Sequence, residues 1–171
     1  GRMEERKNEE AFGDAVASAT RLCIEAGGID TWVRNELVVN PDTGLREREA
    51  PQEKMRREKA IGNYLEAVGF LEKALLLQPG QEEIRKERVR VGIAIGNMAL
   101  VGRDGLLARE AFRRLGQYGV DEEGVEKFLT RVDLMETELL AWRKIRLAKI
   151  WEDLSQGLGR LDRDPGAPLL P

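Results

Sequence analysis

The chain has 171 residues, enough for one domain with a sizeable core. Charged residues make up 35% and aromatics only 5%, a mix that suits helices with long solvated faces rather than a β-sandwich. The 28 basic and 31 acidic side chains leave a net charge of −3, with no overall electrostatic footprint for nucleic acid, and the complete lack of histidine removes the commonest general base and zinc ligand together.

The first predicted helix covers residues 8–26, where Phe12, Val16, Ala19 and Cys23 recur at spacings of 4, 3 and 4 on one stripe. Gly27 and Gly28 are expected to stop it, and Asp30 is a plausible N-cap for the segment after it. Residues 31–50 fit two readings. Trp32, Val33, Leu37, Val38 and Val39 form a short helix followed by a loop, or the turn Asn40-Pro41-Asp42-Thr43-Gly44 closes a small hairpin.

A charged helix is predicted over 52–61 and an amphipathic one over 64–78. In the second, Ala67, Phe70, Ala74 and Leu77 keep the helical period, and Pro79-Gly80 ends it. The next helix, 82–101, carries Ile84, Arg88, Val91, Ile95 and Met98 on one stripe. Gly92 and Gly96 lower its propensity and imply the close approach of another helix. A turn at Gly102 to Gly105 leads to a short helix over 106–116.

Asp121 can cap a long last segment reaching about Leu161. Phe128, Val132, Met135, Leu139 and Trp142 space as 4, 3, 4 and 3. Leu147, Trp151, Leu154, Leu158 and Leu161 repeat that spacing one residue out of phase, so the helix either continues through a stutter or breaks near Lys144. Residues 162–171 read as a polar C-terminal tail that ends in Leu169-Leu170. No apolar run approaches the ~20 residues a membrane span needs. The polar N-terminus lacks the apolar stretch of a signal peptide, and Gly1-Arg2 ahead of Met3 reads as a cloning remnant, as if the chain were excised from a longer protein.

The stretch from Gly62 to Pro79 resembles the second half of a tetratricopeptide repeat, with Gly62, Ala67, Ala74 and Pro79 at that family's spacings. Phe70 falls one residue before the family's aromatic place, and Met55 and Glu58 stand where it has a small residue and an aromatic. Residues 82–115 echo the pattern more loosely through Gly102, Leu107, Ala111, Phe112 and Leu115, and residues 8–39 would be a degenerate third unit. The resemblance implies a single all-α domain over 1–161, with a best unit at 52–79. In it, about six or seven helices stack as antiparallel pairs in a short tetratricopeptide-like array, and a long C-terminal helix caps the stack.

Function comes from the same resemblance as an expectation: a non-catalytic scaffold that binds a partner peptide or helix in a groove. The first helices of the units would present Gln52, Arg56 and Lys59, then Lys86 and Arg90, a basic lining suited to an acidic partner. The bland reading is that these are solvated charges balanced by Glu53, Glu58, Glu83 and Glu87. The alternative is a structural, self-associating domain pairing with its own copy through 125–161, with Leu139, Trp142, Trp151, Leu154 and Leu158 at the contact.

No catalytic residue, metal site or cofactor site is singled out. Cys23, the only cysteine, reads as a small core residue rather than a reactive thiol, and a single cysteine fits a reducing, cytoplasmic setting. Paired glutamates such as Glu82-Glu83 and Glu122-Glu123 sit at helix starts, where they complement the helix dipole. The basic run Arg143 to Lys149 between Trp142 and Trp151 is flanked by Glu136, Glu138, Glu152 and Asp153. It is therefore read as a helix surface and not as a nucleic-acid or membrane site.

Overall fold

The computed structural model describes residues 1–35 and 51–163, with side chains described over 1–28 and 52–158. Among the described residues the chain is all-α, with five helices and no strand: α1 (Arg2–Asn35), α2 (Pro51–Leu77), α3 (Glu82–Val101), α4 (Gly105–Gln117) and α5 (Glu122–Arg163). The predicted ends of α3, α4 and α5 agree with these to within a residue or two. The hairpin-or-loop reading of 31–50 lies outside the described residues from 36 onward, as does the tail beyond 163.

Two expected breaks do not form. Gly27 and Gly28 do not stop α1, which runs on to Asn35. A helix-interior glycine costs about 1 kcal/mol relative to alanine, but the turn before them is buried: Leu22, Cys23 and Ala26 are core residues, and a Cβ at Gly27 would lie 3.7 Å from the Tyr64 hydroxyl. Nor does Gly62 turn the chain between 52–61 and 64–78; both are one helix, α2. Its buried face continues without a gap through Arg57, Ala60, Ile61, Tyr64, Ala67, Val68, Leu71 and Ala74, so packing carries the helix across the glycine. The unit read at 52–79 is therefore not a helix pair, and the one read at 8–39 is a single helix as far as Asn35.

Residues 82–115 do form a hairpin. Arg103, at φ 57, takes the left-handed position that ends α3, while the Asp104 amide donates to the Ala99 carbonyl (2.9 Å). The Asp104 carboxylate then accepts from the Leu107 amide at 3.1 Å and caps α4. Arg57, on α2 and 6% exposed, lies over Gly102 at the carbonyl end of α3, where a cation complements the helix dipole; a Cβ on Gly102 would meet its guanidinium.

Helix α3 divides the core. Val91, Ile95 and Met98 face a cluster built with Leu22, Cys23, Tyr64 and Leu71 of α1 and α2. Ala99, with half-buried Val89, Ile93 and Leu100, faces a second cluster with Phe112, Leu115, Val132 and Met135 of α4 and α5. The approach of α3 to α4 depends on glycine: a Cβ on Gly96 would lie 2.1 Å from the fully buried Phe112 ring, and one on Gly92 2.9 Å from Leu115. The Phe112 ring in turn stacks on Phe128 of α5, with centroids 4.9 Å apart.

Gly96→Ala is expected to destabilise the protein by about 1–3 kcal/mol through overpacking on Phe112. Gly62→Ala, at an exposed site with nothing within 4 Å, is expected to stabilise it by up to about 1 kcal/mol, because the helix is continuous there. Urea unfolding of the two variants checks both signs; a destabilised Gly62→Ala would mean that α2 is broken at that residue.

Candidate interaction surface

Helix α5 has 42 residues and spans about 63 Å. The Asp121 carboxylate starts it by accepting from the Gly124 amide at 2.8 Å. Its first half runs antiparallel to α4, with Val132 and Met135 buried and Val125, Phe128 and Leu129 half-buried against the second core. Polar contacts latch the same stretch. One guanidinium nitrogen of Arg109 donates to Asp133 Oδ1 and Glu136 Oε2, both at 2.8 Å, and Arg131 donates to Asn97 Oδ1 on α3 at 3.3 Å. The paired carboxylates hold Arg109 more firmly protonated than an ordinary arginine.

Beyond Trp142 the cover thins, and Gly157 is the one buried residue between 143 and 158. Residues 143–156 are all exposed, including large apolar side chains. Leu140, Leu147, Ile150, Trp151, Leu154 and Leu158 stand between 46% and 63% exposed, far more than single stray surface residues would account for. At 100° per residue, all but Ile150 lie within about 60° of arc, and Ile150 borders that stripe.

The stripe does not continue the docked face. The step from Trp142 to Leu147 is five residues where the pattern needs four, and α5 is regular through it, so the apolar face turns by about 100° about the helix axis. The first series therefore faces the body. Leu139 and Trp142, its last members, are half-buried, with Arg146 over the Trp142 ring at 5.3 Å. The second series faces to one side of the docked face.

Where the two faces meet, α5 forms one wall of an open groove of about 750 Å³. Glu136, Leu139, Leu140 and Arg143 line it from α5, Lys54, Arg57, Glu58 and Ile61 from α2, and the remainder is the α3–α4 turn from Gly102 to Leu107.

The residues expected to line a basic groove are not gathered in one. Gln52, Arg56 and Lys59 are exposed at the start of α2, beside the end of α3. Lys86 and Arg90 are exposed near the start of α3, and Arg90 lies 12 residues before Gly102, about 18 Å along the axis. Both are engaged locally: Lys86 with Glu83 at 3.7 Å, and Arg90 Nε with Glu87 Oε2 at 3.0 Å. The bond to Arg90 holds the Glu87 carboxyl below its ordinary range against burial, which pulls the other way. Nearby Cys23 is buried, and burial, aided by Glu87, pushes its thiol up, as suits a core residue.

Of the residues expected at a self-contact, Trp151, Leu154 and Leu158 are on the exposed stripe, whereas Leu139 and Trp142 end the docked one. Leu147, read as the first member of the second series but not as a contact residue, is on the exposed stripe with the first three, as is Leu140, which that series left out; Ile150 borders it. The seven-residue spacing of Leu140, Leu147 and Leu154 is the signal that finds Leu140. No helix of the described residues is long and apolar enough to cross a membrane. Comparison with protein-family models, with curated proteins and with solved structures finds no match to this chain.

A lowered folded-state pKa means that ionised Glu87 adds stability above the ordinary carboxylate value of about 4.3, and that this is lost as pH falls through the lowered value. Glu87→Gln is accordingly expected to lower stability near pH 7 and to converge with the wild type once the pH falls below the lowered Glu87 value, in paired urea titrations.

Proposed function

We propose that this chain is a non-catalytic protein-interaction module whose docking element is the projecting half of α5. The observation that carries the reading is the apolar stripe of Leu140, Leu147, Trp151, Leu154 and Leu158, exposed to water and turned about 100° from the face that docks on α4. Tryptophan and leucine ranked along a helix at spacings of 4 and 3 form the anchor pattern of helix-to-helix recognition. A tetratricopeptide-like stack with a concave basic groove would need a turn at Gly62, where α2 is continuous, so the reading rests on α5. The histidine-free composition supports a binding role over acid–base catalysis, and the single, buried Cys23 is compatible with work in a reducing, cytoplasmic setting.

The test is affinity capture from the native host with wild type and the double variant Leu147→Glu, Trp151→Glu as immobilised baits. The wild type is expected to retain a protein, either further copies of itself or another chain, that the variant loses. Circular dichroism is expected to stay helical, because both side chains are exposed. Identical capture by both baits sinks the reading.

A further inference from the structure

The stripe on the projecting half of α5 needs an apolar helix against it, and the charges beside it specify which one. Arg143, Lys144, Arg146 and Lys149 come first, and Glu152 and Asp153 come after them. The segment is thus basic up to Lys149 and acidic just beyond it, at Glu152 and Asp153, with Arg160 about two turns further on. We infer that this segment pairs with the same segment of a second copy of the chain, antiparallel, about a twofold axis close to residue 149. This inference rests on the reading of α5 as the docking element.

Antiparallel pairing is selected over parallel by the position of the charges. At 100° per residue, Arg143 and Asp153 lie on one flank of the stripe, and Lys144 and Glu152 on the other. Antiparallel helices oppose like flanks, so Arg143, level with Ser155 of the second copy, has Asp153 two residues (about 3 Å) away along the axis, and Lys144, level with Leu154, has Glu152 at the same offset. In the seam, Trp151 meets Leu147 and Leu158 meets Leu140. The aliphatic stem of Lys144 lies along Leu154 while its ammonium group reaches out to Glu152. A parallel, in-register pair would instead set Lys144 against its own copy inside the seam, and the whole basic block against itself.

The groove beside α5 supports the same occupant. Leu139, Leu140 and Arg143 form its α5 wall. Pairing about residue 149 brings residues 155–161 of the second copy level with 137–143, at the mouth of that groove. The exposed area of the stripe is roughly 700 Å² per copy, so complete cover by a second copy would bury at most about 1,400 Å² in total, the order of size of specific dimers.

Sedimentation equilibrium of the full chain from about 1 to 200 μM tests the pairing across the micromolar range of dissociation constants. The wild type is expected to dimerise, and Leu147→Glu with Trp151→Glu to be monomeric with unchanged circular dichroism. Lys144→Glu is expected to weaken the dimer by about tenfold, and adding Glu152→Lys to restore it, because the pair is then reversed and not broken. A dimer that Lys144→Glu weakens and Glu152→Lys fails to restore overturns the antiparallel arrangement. A wild type that stays monomeric overturns self-pairing. If stripe-dependent capture of another protein then persists, the interaction reading survives with a different occupant; if capture is also indifferent to the stripe, both readings fall.

Discussion

The contact on which the rest of the structure depends is the approach of α4 to α3 at Gly96. The missing Cβ leaves room for the Phe112 ring to lie directly on the α3 backbone, and the ring's other side is then free to stack on Phe128 of α5. One glycine thus sets the spacing of three helices. Val132 and Met135 complete the same core, and the bonds of Arg109 to Asp133 and Glu136 fix the rotation of α5 about its own axis. With the first half of a continuous helix held in rotation, the direction faced by every later residue is determined.

That coupling turns a one-residue change of phase into a change of partner. An α-helix without a bulge advances about 100° for each added residue, so the extra step between Trp142 and Leu147 turns the second apolar series to one side of the face that docks on the body. A helix segment of under twenty residues is marginal in water by itself. Burying the stripe of Leu140, Leu147, Trp151, Leu154 and Leu158 would stabilise the segment, which is the physical basis for proposing that something docks there. The alternation of charge along it, basic and then acidic, is what makes a second, reversed copy the proposed occupant.

The continuity of α2 shows how one local pattern serves two architectures. Small residues at Ala60, Ala67 and Ala74 are spaced to let helices approach closely, which a helix-pair repeat requires and a long uninterrupted helix uses equally well. All three are fully buried in a single helix. Glycine at position 62 is compatible with a turn, but its modest helical penalty is outweighed by core contacts on the turns before and after it. Gly27 and Gly28 likewise do not break α1, where Leu22, Cys23 and Ala26 on the turn before them are core residues, whereas Gly102 stands where α3 does end, because Arg103 there takes the left-handed conformation and Asp104 caps the next helix.

By itself the sequence determined the all-α class, the extents of α3 and α4, the two ends of the last helical segment though not its continuity past Lys144, the cap at Asp121, the core placement of Cys23 and the close approach implied by Gly92 and Gly96. Each is a local matter of period, capping or missing side-chain volume, legible without knowing what packs where. The two offset series in the last segment were legible too, though not what they meant. Only the tertiary structure decided whether a glycine breaks a helix or is carried across, since that is a balance between a local cost of about 1 kcal/mol and long-range burial. It also separated the Gln52, Arg56 and Lys59 group from Lys86 and Arg90, because α2 and α3 run antiparallel as long rods and set the two groups far apart. And it distinguished the apolar series that is buried on α4 from the one left facing water, which no periodicity can do, because two stripes of equal spacing differ only in whether another surface meets them.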